Sequence, residues 1–190
     1  MVTNYYYLVS TLPFAQFGAP PPLSSAAFLE RCREHLPAER AAALAAVALL
    51  PRATACCPSE ARWNARETAL RNLLVRRRCG PNDDPTRHLR PEAEFYGDLE
   101  LEVDEALGAA HPLAVEQALD RVRWDFLDDL ASGHQFDFDV LLLYRLRLLL
   151  LEQGAAVEAA RGREALAGRV REKLAAVNVA ELLNASQEPR

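Results

Sequence analysis

GHQFDFDVLLLYRLRLLLLEQG, residues 133–154, decides how the rest of the chain is read. From Val140 to Leu151 every residue is apolar or aromatic except Arg145 and Arg147. A membrane span needs about 20 consecutive apolar residues. Here the unbroken runs are residues 140–144 and 148–151, and an arginine at mid-bilayer costs about 2.5–3.5 kcal/mol. The span reading is therefore set aside. A helix apolar nearly all round is one that neighbours cover on most sides, so the stretch predicts a central core helix. Arg145 and Arg147 stand about 200° apart on a helical wheel, so they cannot share one solvent-facing stripe. At least one crosses packed surface, and a half-buried guanidinium needs a carboxylate or carbonyl groups. Asp125, Asp128 and Asp129 on the preceding helix are the obvious acidic supply.

Working outward, HPLAVEQALDRVRWDFLDDLASG is a second strong helix, opened by Pro112 and closed by Gly133. Val115, Leu119, Val122, Phe126 and Leu130 form its apolar stripe. The short link to the opening helix favours an antiparallel pair over 112–131 and 137–153. Asp137 can cap the opening helix and Gly154 can end it. Further upstream, Ser24 or Ser25 can cap a helix through AAFLERCREHL. Pro37 opens another that Pro51 closes. Ser59 can cap a third, EARWNARETALRNLLVRRRC, terminated at Gly80-Pro81. DLELEVDEAL alternates as a strand does and also carries helical spacing; its glutamates and the lack of a partner strand favour helix. NYYYLVSTLPF is aromatic and β-prone and reads, within an N-terminal stretch of residues 1–23, as an extended segment pinned by its tyrosines. Residues 81–94 read as a flexible loop between two helical halves. A last helix is expected over 155–177. The fold expected is all-α, a single compact domain over 1–190 with six or seven helices.

Half of the residues are apolar and 26% are charged, which suits a globular chain rather than a disordered one. A net charge of −5 argues against general nucleic-acid binding. Lys173 is the single lysine, which points to genome composition bias rather than chemistry. No signal peptide is visible at the start, so a cytoplasmic chain with Cys32, Cys56, Cys57 and Cys79 reduced is expected. Cys32 and His35 have the spacing of half a zinc site, but no second pair with regular spacing accompanies them. No catalytic constellation, phosphate-binding glycine loop, cofactor motif or metal set emerges. The contact candidates are Arg76, Arg77 and Arg78 at a helix C-terminus, and Asp125, Asp128 and Asp129 near another. Each cluster has a plain reading as well: the arginines complement the helix dipole, and the aspartates form a solvated acidic face.

Three stretches together carry a resemblance: NYYYLVSTLP, HPLAVEQALDRVRWDFLDDL and GHQFDFDVLLLYRLRLLLLEQ. They resemble a bacterial family of uncharacterised proteins whose genes accompany V/A-type ATP synthase genes. That family is distantly similar to the C subunit of rotary ATPases (the eukaryotic d subunit), an all-helical funnel seating the central shaft on the membrane rotor ring. Tyr144 to Glu152 is similar to its Y-x-L-x-L-x-x-x-E pattern, and WNARETALRNLLVRRR to its helix with an Asn-Leu pair followed by basic residues. The chain is much shorter than a C subunit, and Gln153-Gly154 stand where that pattern often has a Trp. The resemblance implies a non-enzymatic ATP synthase-associated coupler or adaptor at the central stalk or rotor ring. It also implies a place at the membrane only through that complex. The alternatives are a transient assembly or regulatory factor for the same ATPase, and an unrelated helical interaction module such as a homodimer joined through the Leu-rich helix.

Overall fold

The opening stretch folds as a helix that is largely buried from Phe138 to Leu151. In the computed structural model the described residues are 5–80, 84–91 and 96–157, together with 162, 166–168 and 170. They form helices α1 (Tyr6–Ser10), α2 (Ser25–His35), α3 (Ala38–Ala45), α4 (Pro58–Arg78), α5 (Gly97–Leu107), α6 (Pro112–Ala131) and α7 (Phe138–Val157), with one 3-10 turn at Pro85–Arg87. No strand occurs among the described residues. The protein is all-α, and 98–105 is helical. The chain divides into two compact units, Met1–Ala155 and Ala156–Arg190. The helix expected over 155–177 falls largely outside the described residues.

Two apolar clusters hold the first unit. The larger surrounds α7. Leu141, Leu142, Leu143, Leu146, Leu148, Leu150 and Leu151 pack there with Phe28 and Cys32 of α2, Leu44 of α3, and Trp124, Phe126, Leu127 and Leu130 of α6. The smaller joins Ala69, Leu70 and Leu73 of α4 to Leu99, Val103 and Ala106 of α5 and Leu119 of α6. Helix α6 thus spans both clusters, its first half in one and its second in the other. The closest backbone approaches are α5 against α4 and α6, and α2 against α3. Helices α6 and α7, expected as an antiparallel pair, pack together in the larger cluster through their side chains, and Arg147 of α7 bonds Asp128 of α6.

Several local expectations need correction. The N-terminal stretch is not extended throughout, because Tyr6–Ser10 is helical. The Ser10 and Thr11 hydroxyls donate to carbonyls one turn back, at 2.6 and 2.8 Å. Buried Leu8 and half-buried Tyr5 anchor it on the larger cluster, while Tyr6 and Tyr7 are exposed. Packing here overrides β-propensity. Helix α3 stops at Ala45 rather than at Pro51, because Val47 turns inward and is buried. Ser59 does not cap α4. Pro58 takes the first helical position, and Glu60 reaches back to accept from the Cys56 N–H at 2.6 Å, much as in a capping box. Gly154 does not end α7, which continues to Val157.

Other caps follow the sequence. Ser24 Oγ accepts from Ala27 N at 3.1 Å, and Asp137 Oδ1 from Val140 N at 3.1 Å. A second carboxylate, Glu152 of α7, accepts from Ser25 N at 2.6 Å, placing negative charge at the N-terminus of α2. Within the described part of 81–94, the Asn72 amide clamps Arg90. Its Nδ2 donates to the Arg90 carbonyl at 2.7 Å, and its Oδ1 accepts from Arg90 N at 2.9 Å. Tyr144 Oη donates to the Pro13 carbonyl at 2.8 Å and so ties α7 to the segment after α1. Tyr144→Phe is expected to cost about 1 kcal/mol in a urea melt. No change in midpoint would show that water replaces the bond at no loss.

Candidate interaction site

Charged side chains on α4 and α6 were the candidates, and the structure separates them by what each touches. Arg77 Nε and Nη2 donate to the two oxygens of Asp104 on α5, at 2.7 and 2.8 Å. This fork pushes the Arg77 guanidinium up and holds the Asp104 carboxyl below its usual range. Arg78 reaches Glu116 of α6 at 3.5 Å. Arg76 is exposed. The basic end of α4 is thus in part a tie to α5 and α6. Asp125 pairs with Arg121 on its own helix at 2.9 Å, with both side chains more than half exposed. Asp128 accepts from Arg147 Nη2 at 2.6 Å, and Asp129 is exposed. The three aspartates share one outward face at the end of α6. Glu116, where Arg78 docks, lies about 18 Å back along that helix by its rise per residue. The arginines and the aspartates are therefore two surfaces, not one site.

The two arginines of α7 part company. Arg147 takes the expected carboxylate, Asp128, and its guanidinium lies over the Trp124 ring, 5.6 Å from the centroid. Arg145 does not reach the aspartates. It is 8% exposed, and its Nε and Nη1 have no hydrogen-bond partner among the described residues. Burial pushes its guanidinium below the ordinary value, and the charge of Glu152 opposes this. Because Asp128 is more than half exposed, Asp128→Ala with Asp129→Ala is expected to lower stability by less than about 1 kcal/mol. Collapse of that double variant, seen as loss of helical circular dichroism, would make Asp128 an obligatory internal partner of Arg147.

The strongest ion-pair cluster is one that sequence reading missed. Arg123 Nε and Nη2 donate to Glu67 at 3.0 and 3.2 Å, and its Nη1 donates to Asp120 at 2.8 Å. Arg71 Nε adds a bond to Glu67 at 2.7 Å. Next to it, Arg66 lies over the Phe126 and Tyr96 rings and reaches Glu102 at 2.6 Å. The spacing of Asp120 to Arg123 was visible, but nothing local pairs Glu67 with a residue 56 positions away. The cluster locks α4 to α6; it is architecture.

Potential ligand groups also resolve. Cys32 is fully buried, whereas His35 is exposed and stacks on Tyr7, so the two do not converge. His134, Asp137 and Asp139 bring ligand atoms within 4.8 Å of one another. Each already has a partner: His134 and Asp137 bond each other at 2.6 Å, and Asp139 accepts from Ser59 N at 3.3 Å. An open groove of about 720 Å³ between α2 and α3 is lined by alanines, Leu36 and Arg33.

Three thiols, Cys32, Cys56 and Cys57, are pushed up. Burial takes Cys32 and Cys56 to about 12, with Glu60 adding to the effect at Cys56. Burial takes Cys57 to about 11, with Asp139 adding to it. At pH 8 their thiolate fractions fall roughly 100-fold (Cys57) to 1,000-fold (Cys32 and Cys56) below that of an ordinary thiol. Iodoacetamide labelling at pH 8, followed site by site by mass spectrometry, should find these three slow in the folded protein and fast in denaturant. Rapid labelling of any of them in the folded protein would identify an activated nucleophile. The sign for stability follows: these thiols ionise first in the unfolded chain, so their contribution is intact below about pH 9 and is lost toward 11–12.

The geometry defines an all-helical protein whose exposed charge sits in separate patches around a leucine-rich central helix. Residues 99–172 match the model of a family described as a protein of unknown function, DUF2764. The match begins at Leu99, the first buried residue of α5, and takes in α6 and α7. No curated protein and no solved structure matches the chain. No helix among the described residues is long and apolar enough to cross a membrane.

Proposed function

We propose that the protein is a non-enzymatic, V/A-type ATP synthase-associated subunit, a coupler or adaptor at the central stalk or rotor ring. The observation that carries the reading is how the stretch resembling the C subunit is used. Tyr144 and Glu152, the ends of its Y-x-L-x-L-x-x-x-E pattern, both fasten the central helix to other segments, at Pro13 and at the start of α2. A body tied across its core in this way is stiff, and stiffness is what transmission of torque or register requires. The outward aspartates of α6 and the basic end of α4 supply charged surfaces for orientation at a partner. The raised thiols agree with a role that needs no nucleophile.

The test is an affinity pull-down of the tagged full chain from gently solubilised membranes of its own host, with subunits quantified by mass spectrometry. ATPase subunits at fixed, near-integer ratios support a permanent subunit. Recovery far below stoichiometry favours an assembly or regulatory factor. No ATPase subunits, from cells that make the enzyme, would overturn the reading in favour of a free-standing helical module, whose mass in solution would rise with concentration if it is a homodimer.

A further inference from the structure

Helix α5 carries five acidic residues, Asp98, Glu100, Glu102, Asp104 and Glu105, and no basic one. Its inner face is Leu99, Val103 and Ala106, all buried. Directly opposite stands Leu101, 74% exposed. By helical geometry Asp98 and Glu105 lie on one side of Leu101, and Glu100 and Asp104 on the other. A leucine placed outermost between two acidic rows gains nothing for the fold, since it leaves its side chain in water.

The carboxylates of α5 divide in two. Asp98 and Glu102 share Arg66, and Asp104 takes Arg77. Glu105 has no ion pair among the described residues. Glu100 lies in the field of Arg77 without a hydrogen bond to it. One uncommitted carboxylate therefore flanks Leu101 on each side. Gly97 and Gly108, exposed at the two ends of the same strip, add no side chain that would hold a partner off.

From this juxtaposition we infer that the outer face of α5 is a docking strip for a basic amphipathic helix of another protein, which seats an apolar residue on Leu101 between Lys or Arg side chains directed at Glu100 and Glu105. Charge complementarity selects the occupant. Phosphate-rich surfaces, whether nucleic acid or anionic lipid, are repelled by Glu100 and Glu105, the carboxylates that the fold leaves uncommitted. The strip is about 16 Å long, which accommodates three turns of a partner helix. The inference stands on α5 alone and does not depend on the ATPase reading.

The test uses the full chain, isotopically labelled, and three fluorescent synthetic peptides of equal length. One is a helix with a leucine spine flanked by Lys and Arg, the second is its charge-reversed Glu twin, and the third has the basic composition scrambled so that no amphipathic face forms. The basic helix alone should bind, with amide shifts confined to residues around 97–108. Leu101→Ala should weaken it about tenfold, as loss of a buried leucine side chain does. Glu100→Gln with Glu105→Gln should weaken it and flatten its salt dependence. Neutralising Asp125 and Asp129 on α6 should change nothing. All these substitutions are at exposed positions, so the fold is kept. Absence of binding, equal binding of the scrambled peptide, or insensitivity to both α5 variants would overturn the inference.

Discussion

Leu146→Asp is expected to leave the protein unfolded at room temperature. Leu146 has no exposed surface and sits in the middle of α7, inside the larger apolar cluster. The neighbouring cations cannot rescue a carboxylate there. Arg145 and Arg147 are adjacent in sequence and point about 100° to either side of it on the helix. An unpaired buried charge costs several kcal/mol beyond the lost leucine, against a total stability of about 5–15 kcal/mol for ordinary domains. Leu146→Ala isolates the packing part and should cost about 2–5 kcal/mol, a fall in Tm of roughly 5–15 °C for a chain of this size. Leu149 is only half-buried, so Leu149→Asp should be the milder lesion. Helical circular dichroism and thermal melts decide it. A folded, soluble Leu146→Asp protein that merely lost a partner would mean that this face of α7 is an interface rather than core.

The second large effect is at Glu67 and Arg123. Their side chains are 1% and 9% exposed, and Arg123 is held by a fork to Glu67 and a bond to Asp120. Glu67→Leu or Arg123→Leu alone strands buried charge and should cost about 3–5 kcal/mol. The double substitution removes both charges and should cost clearly less than the sum of the two, a coupling visible in a urea double-mutant cycle. Simple additivity would show that water reaches the pair and screens it. Asp120 adds a pH signature. Burial, opposed by Arg123, leaves its carboxyl above the usual range. Its contribution to stability is therefore complete below the unfolded value near 3.8 and is lost as pH rises through the folded one. Acidification acting on Asp120 alone strengthens the fold, the reverse of the usual carboxylate.

What could be read from local signals was read correctly where one signal dominated. Helix α6 was bounded at Pro112 and Ala131 by a proline at its start and a glycine just beyond its end, and Gly133 does take a positive φ of 89°. Helix α5 was harder, because leucines and acids alternate while every fourth residue is also apolar. Only its contacts with α4 and α6 show which leucine is inside. The outward Leu101, and with it the docking strip, could not be recognised until strand had been separated from helix. The arginines at 76–78 and the aspartates at 125, 128 and 129 were visible as clusters, but a cluster in sequence does not say which charges the fold itself consumes.

The sequence alone determined that this protein is all-helical and that the apolar stretch 140–151 is enclosed on most sides, because apolar periodicity and helix-end residues act over a few positions and are written locally. The tertiary structure alone decided the rest: that α1 is a helix, that the polar helix α4 buries Glu60, Glu67 and Asn72, that Arg147 takes Asp128 while Arg145 Nε and Nη1 find no partner among the described residues, and that α5 turns one leucine outward. Each depends on residues far apart in the chain, where burial changes the cost of a charge or an apolar side chain in ways no short stretch can record.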